Sequence, residues 1–476
     1  MKHALAAVVL AAGQGTRMKS TKAKVLHPVC GLPMVSYPIA LSRRLGAKPV
    51  VLVVGHQAEA VQAEVERHFP EGVGFQLQAE QHGTGHAVIE GMKGLEGFEG
   101  RIFILYGDVP LLTQATLERL NSSMDAGAPL SLVTFELDDP TGYGRIVRDD
   151  EGRLLRIVEH KDANEQERAF KEVNAGIYCV EAGFLRSALS RLNNDNAQKE
   201  YYLTDIVGFA IDDGHTVAHT LADPLEVSGA NDRAQLSELD LAMRRRINTQ
   251  HMKAGVTLVD PESTYIEASV TIGQDTVIQP NVHLRGATEI AEGCSIDTGC
   301  VFTDAKVGPA VTFKPYTIIE DARVRDEAIV GPFSRLRPGA DIMQQAHVGN
   351  FVEFKKATLG PGAKANHLAY IGDASIGAKA NVGAGTITCN YDGYGKYKTE
   401  IGEGAFVGSN STLVAPVSIG DNAYVAAGST ITDPVPTDAL AFGRARQLVK
   451  PERAPKLRAD AKAAAAAAKK AKAEGN

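Results

Sequence analysis

The stretch YIEASVTIGQDTVIQPNVHLRGATEIAEGCSI (265–296) places an aliphatic residue at every sixth position: Ile266, Ile272, Ile278, Leu284, Ile290 and Ile296. An α-helix, at about 3.6 residues per turn, cannot keep that spacing on one face. A stack of short strands can, with each aliphatic side chain pointing into a narrow interior and glycine near the corners. The rhythm resumes at Val324, Val330, Leu336, Ile342, Val348 and Phe354, and again at Ile401, Val407, Leu413, Ile419, Val425 and Ile431. Glycine follows several of these, as in Ile272-Gly273, Val407-Gly408 and Ile419-Gly420. The three runs predict a β-solenoid over 255–450. The period alone leaves its handedness open.

Upstream the texture differs. Short apolar runs at 4–10 (ALAAVVL), 49–54 (PVVLVV), 101–106 (RIFILY) and 130–137 (LSLVTFEL) alternate with amphipathic stretches such as 57–68 and 114–126. Continuous apolar strands separated by helices predict a mostly parallel sheet covered on both faces. This is a Rossmann-like α/β domain over 1–228, with ligands expected at the C-terminal ends of its strands. Residues 232–252 keep helical spacing without breakers, so 229–254 reads as a linker helix. The Ala/Lys-rich tail, 451–476, has no apolar stripe to dock and is expected to be disordered.

Composition narrows the classes. The 476-residue chain carries a net charge of −7, which gives no support for nucleic-acid binding. Its five cysteines are scattered and form no C-x-x-C pair, which argues against a disulfide framework or zinc knuckle and for free thiols in a reducing cytoplasm. Cys294 and Cys300, one hexapeptide apart, are expected at equivalent places on neighbouring strands. The apolar N-terminus flows into the polar loop GQGTRM, so it reads as a first strand rather than a signal peptide. No apolar run is long enough for membrane insertion.

Chemistry enters where the patterns break. Gly13 and Gly15 in LAAGQGTRM (10–18) let backbone N–H groups approach a phosphate, and Arg17 adds a delocalised charge. The loop lacks the third glycine of a dinucleotide fingerprint and the Gly-Lys-Ser/Thr ending of a P-loop. Lys24 follows closely. Asp108 ends the run RIFILYGD, where an α/β enzyme holds Mg²⁺. In the repeats, NYDGYGKYK (390–398) interrupts the six-residue rhythm, and His367 stands out of phase with the core positions. Loops extruded from a solenoid are commonly its functional parts. A near-neutral imidazole suits proton removal from an attacking amine.

LAAGQGTRM, QAEQHGTGHA (78–87), YGDVP (106–110), GYGRIV (142–147), IVEHKDA (157–163), EVNAGIY (172–178) and EYYLTDIV (200–207) together resemble the sugar-1-phosphate nucleotidyltransferases. With RLRPGA, HVGNFVEFKKA, NHLAYIGDA and NVGAGTITCNYDG, the whole chain but its tail resembles the bifunctional N-acetylglucosamine-1-phosphate uridyltransferase/glucosamine-1-phosphate acetyltransferases.

The resemblance implies a left-handed β-helix, a homotrimer, Mg²⁺, and UTP and acetyl-CoA as co-substrates. Glucosamine-1-phosphate would be acetylated in the second domain, and N-acetylglucosamine-1-phosphate coupled to UTP in the first, feeding cell-envelope synthesis. Leu10, Ala11, Ala12 and Gly13 would surround the nucleotide, with Arg17, Lys24, Tyr106 and Gly107 beside it. Gln78, Gly83 and Thr84 would read the uracil. Gly144, Glu159 and Asn174 would hold the sugar, and Asp108 and Asn231 the metal. In the second domain His367 would be the base. Arg337, Lys355, Tyr370, Asn381 and Lys396 would hold the sugar phosphate or assist. Ala384, Asn390, Tyr391, Ser409, Ala427 and Arg444 would line the acetyl-CoA site. The competing reading keeps the nucleotidyltransferase and makes the β-helix only an oligomerisation or regulatory module.

Overall fold

The computed structural model describes residues 3–474 in two compact units, one running to Glu320 and one from Asp321. In the first unit, β1 (Leu5–Ala11), β2 (Val50–Val54), β3 (Val73–Leu77), β4 (Arg101–Tyr106), β5 (Leu130–Glu136), β6 (Arg145–Arg148), β7 (Leu154–Val158), β8 (Glu172–Glu181) and β9 (Ala218–Leu221) share one sheet. The spatial order is β9-β5-β8-β4-β1-β2-β3, with β6 paired to β8 and β7 to β6. β1 is parallel to β2 and β4, and β5 to β9, as a βα alternation requires. β8 runs antiparallel to both its neighbours, which the apolar runs did not announce.

Alternate residues of β1 feed two separate core layers. Ala7, Val9 and Ala11 face one with Leu52 and Phe103; Ala6, Val8 and Leu10 face the other with Val51 and Ile104. Both faces are buried, so the strand must be apolar throughout. Each fully buried Val or Leu contributes about 1.5–3 kcal/mol.

A helix spans Arg233–Lys253. Asp232 caps it, accepting from the Ala234 and Gln235 N–H groups at 2.9 and 3.0 Å. Arg246 on this helix donates to the Leu111 carbonyl at 2.8 Å. These ties fix where the chain enters the helix, and Asn231 is the residue before the cap.

The hexapeptide strands obey one rule in both units. The first unit stacks Leu258, Ile278, Ile296 and Phe313 in one row, and Ile266, Leu284, Phe302 and Ile319 in another. The second stacks Val330, Val348, Ala365, Val382, Val407 and Val425, and beside it Val324, Ile342, Leu359, Ile376, Ile401 and Ile419. All strand pairs within these rows are parallel, and all of these side chains are buried. Cys294 and Cys300 are buried, each immediately before a strand.

Arg453–Glu474 is a helix rather than the disordered tail expected, and its described side chains are exposed. Alanine and lysine favour helix without needing tertiary contacts.

Candidate active sites

In the α/β domain, a cavity of about 340 Å³ opens at the C-terminal ends of β1 and β4. Leu10, Ala11, Ala12 and Gly13 line one side, and Gln78, Gly83 and Thr84 another; Lys24, Tyr106 and Asp108 complete it. The Gly107 N–H donates to the Leu10 carbonyl at 2.8 Å, locking the two strand ends together. Gly15 is left-handed (φ +61°), and a Cβ there would meet Lys24 Cβ at 2.5 Å. Glycine is therefore needed both for the turn and for the seat of Lys24.

Lys24 Nζ donates to Asp108 Oδ2 at 2.5 Å and to Asn231 Oδ1 at 3.2 Å. Three chain-distant residues thus converge on one cationic point. Among the described residues there is no group of three or more His, Cys, Asp or Glu side chains able to hold a metal. The oxygen pair of Asp108 and Asn231 suits a hard cation that keeps water and substrate ligands, as Mg²⁺ does. Arg17 is exposed in the turn Thr16–Met18, whose Met18 is buried, and does not line the cavity.

Gly144, Glu159 and Asn174 gather beside Tyr106. Asn174 N–H donates to the Gly144 carbonyl at 2.9 Å, and Thr204 donates to Glu159 Oε1 at 3.0 Å. A Cβ on Gly144 would come within 3.5 Å of that carboxylate. Burial raises the Glu159 carboxyl above its ordinary range, opposed by the Thr204 hydrogen bond. Gly176 (φ +73°) lies so close to the Tyr106 ring that any side chain would collide with it. Motif reading did not single out Gln81, which donates to the Ala12 carbonyl at 2.7 Å, or Thr204, although QAEQHGTGHA and EYYLTDIV contain them.

In the second unit, Asn350 and His367 are register partners on adjacent coils, and His367 Nδ1 meets Asn350 Oδ1 at 2.7 Å. An amide oxygen only accepts, so Nδ1 carries the proton and the Nε2 lone pair is exposed. Arg337, Lys355 and Lys396 form a cationic cluster. Contact with Lys396, reinforced by Arg337, lowers the Lys355 ammonium below the ordinary lysine range. Glu353 pairs with Arg337 at 2.8 Å. Tyr370 and Asn390 close over Gly372, whose absent Cβ would meet the Tyr370 hydroxyl at 2.6 Å and Asn390 Nδ2 at 2.8 Å. Asn390 donates to Asp373 at 2.5 Å. Asn381 is half-buried, paired with Lys364 and Phe406 on neighbouring coils.

Ala384, Ser409, Ala427 and Arg444 follow one another up successive coils. Asn410 N–H donates to the Ala384 carbonyl at 2.6 Å, and Gly428 N–H to the Ser409 carbonyl at 2.8 Å. Arg444 reaches to within 3.7 Å of where a Gly428 Cβ would lie. Ala384 is half-buried and Ser409, Ala427 and Arg444 are exposed, as is Tyr391 in the extruded loop at 60%. Asn350, Glu353 and Asp373 were missed as site residues, although HVGNFVEFKKA and NHLAYIGDA contain them.

Residues 7–170 match the MobA-like NTP transferase domain, and residues 398–433 the bacterial transferase hexapeptide (six repeats). The chain is 57% identical to the bifunctional protein GlmU of Anaeromyxobacter sp. (strain Fw109-5), over 94% of this chain and 91% of that one. It is 51% identical to the bifunctional protein GlmU of Trichlorobacter lovleyi, over 94% and 97% of the two chains. Against that of Geobacter metallireducens the identity is 50%, over 94% and 97%.

Proposed function

The chain belongs to the family of bifunctional GlmU proteins, and from that premise we propose which of its side chains carry each reaction. It is a transferase with two activities in UDP-N-acetylglucosamine synthesis, serving the cell wall. Its Rossmann-like NTP transferase domain precedes a left-handed parallel β-helix of hexapeptide repeats. The β-helix acetylates glucosamine-1-phosphate with acetyl-CoA, and the α/β domain couples N-acetylglucosamine-1-phosphate to UTP with release of pyrophosphate.

The pairing of His367 with Asn350 carries the acetyl-transfer assignment. With Nδ1–H committed to Asn350, Nε2 takes a proton from the sugar amine as the amine attacks the thioester carbonyl. The carbon–sulfur bond then breaks and the CoA thiolate leaves. Arg337, Lys355 and Lys396 hold the sugar phosphate, with Tyr370 and Asn381 positioning the ring. Acetyl-CoA lies along Ala384, Ser409, Ala427 and Arg444, with Asn390 and Tyr391 at its reactive end. Ser409, Ala427 and Arg444 are open to solvent, which favours a second copy closing over them; we assign the assembly as a homotrimer.

In the α/β domain the sugar-phosphate oxygen attacks the α-phosphorus in line, so no nucleophilic side chain is needed. Lys24 neutralises the triphosphate, Gln78, Gly83 and Thr84 read the base, and Gly144, Glu159 and Asn174 orient the sugar. Arg17, outside the cavity lining, is assigned to the pyrophosphate end. Asp108 and Asn231 fit Mg²⁺, which when bound would offset charge on the phosphates. Five free cysteines support a cytoplasmic location. Among the described residues no helix is long and apolar enough to cross a membrane.

A drop-out assay with glucosamine-1-phosphate, acetyl-CoA, UTP and Mg²⁺ tests these assignments. Free CoA should appear without UTP, and pyrophosphate only once acetylated sugar is present. In His367→Ala, CoA release should be lost while pyrophosphate release from N-acetylglucosamine-1-phosphate persists. Retained CoA release would remove His367 as the base.

A further inference from the structure

Gln78 is 4% exposed and lines the nucleotide cavity. Its backbone N–H donates to the Val54 carbonyl at 2.8 Å, extending β3's pairing with β2 by one residue. Its side-chain amide nitrogen makes two contacts: Nε2 lies 3.2 Å from the Gly83 carbonyl and 3.2 Å from His86 Nδ1. A carbonyl oxygen can only accept, so the atom facing Gly83 is the NH₂ group, and that settles which way the amide points. The second amide proton then goes to His86, whose Nδ1 must be a bare acceptor. The imidazole proton therefore sits on Nε2, which faces Glu90 Oε1 at 3.5 Å. Glu90 is itself held by Lys93 at 2.6 Å, keeping a carboxylate opposite that N–H.

Both donors of the Gln78 amide are thus consumed inside the protein. Its carbonyl oxygen is the part left for a ligand. Uracil presents an imino N–H at N3, whereas cytosine presents a lone pair there. An acceptor held by two fixed hydrogen bonds takes the first and repels the second. A freely rotating amide would serve either.

Building on the reading of Gln78 as the base-contacting residue, we infer that His86 is a positioning residue for pyrimidine selection. It holds the Gln78 amide with the oxygen toward the base and so sets the preference for UTP over CTP. The positioning line runs from Lys93 through Glu90 and His86 to Gln78. His86 acts through Gln78 and contacts no reacting atom.

The test is the ratio of kcat/KM for UTP to that for CTP, with N-acetylglucosamine-1-phosphate as co-substrate. His86→Leu removes the acceptor and should cut the ratio about tenfold, chiefly through a higher KM for UTP. His86→Asn, whose side-chain oxygen can stand near the Nδ1 position, should restore most of the ratio. His86→Gln, which reaches toward the Nε2 position instead, should not. A retained kcat with saturating UTP in the same preparations reports that the α/β domain is folded. An unchanged ratio in His86→Leu, or equal ratios in all three variants, overturns the positioning role. Gln78→Leu separates the two levels: if it too leaves the ratio unchanged, the base-reading assignment of Gln78 itself is wrong.

Discussion

In the α/β domain, the residues meeting at Lys24 Nζ lie 84 and 207 positions away along the chain. In the β-helix, Asn350 and His367 meet across 17 residues, about one coil. The first meeting requires β1, β4 and the capped helix start at Asp232 to be in place together. The second needs only that one coil stack on the next. A site in the α/β half should therefore fail with the cooperative core, whereas a solenoid site should tolerate damage several coils away. Electrostatics differ likewise. Glu159 is half-buried and its carboxyl raised by desolvation, while the Arg337–Lys355–Lys396 cluster is accessible and shaped by like-charge repulsion.

The sharpest test of that separation uses one chemical deletion per half. His367→Ala should lower acetyl transfer about 10²–10⁴-fold and leave uridylyl transfer at the wild-type rate. Asp108→Asn should do the reverse, costing uridylyl transfer about 10²–10³-fold. Cross-effects in either variant, read by CoA and pyrophosphate release, would show that the two halves are not independent.

Packing gives the next largest effect. Phe354 is fully buried in a coil and Phe103 in the sheet, so either change to alanine should cost about 3–5 kcal/mol. Thermal inactivation followed by both assays should show Phe354→Ala losing acetyl transfer first. Phe103→Ala should lose uridylyl transfer first. Simultaneous loss in both variants would mean that the halves unfold as one.

The charged cluster predicts a pH effect. Lys355 loses its proton at lower pH than an ordinary lysine, because Lys396 and Arg337 repel its charge. Affinity for the sugar phosphate should therefore weaken as pH rises through that lowered pKa. Lys396→Ala should weaken binding overall yet move this pH-dependent loss to higher pH. A KM profile for glucosamine-1-phosphate between neutral and alkaline pH reads both, and an unmoved profile would detach Lys355 from the phosphate.

The smallest expected effect is on the tail. The described side chains of the Arg453–Glu474 helix are exposed, so truncation after Lys450 should change stability by less than about 0.5 kcal/mol. Differential scanning calorimetry checks this, and a larger change would mean that the helix docks.

The coil positions of Val348, Phe354 and Val407 were legible because each inward side chain obeys a local period. The α/β alternation was legible because a strand covered on both faces, like β1, must be apolar throughout. The antiparallel β8 and the helical tail were not read, the first because strand direction leaves no mark on an apolar run. Most of the candidate site residues came through motif resemblance. Their partners Asn350, Thr204 and Gln81 did not, since a residue that serves by orienting another carries no pattern of its own.

The sequence by itself determined the solenoid and its six-residue period, the mostly parallel α/β character, the glycine loop that follows β1 and the break at NYDGYGKYK. These depend on interactions between residues within one coil or one strand–helix unit. Only the tertiary structure decided that Lys24 stands between Asp108 and Asn231, that Asn350 directs the His367 lone pair outward, and that Gly83 and His86 aim the Gln78 carbonyl. Each of those rests on a hydrogen-bond direction or a contact across the fold, and a one-dimensional pattern contains neither.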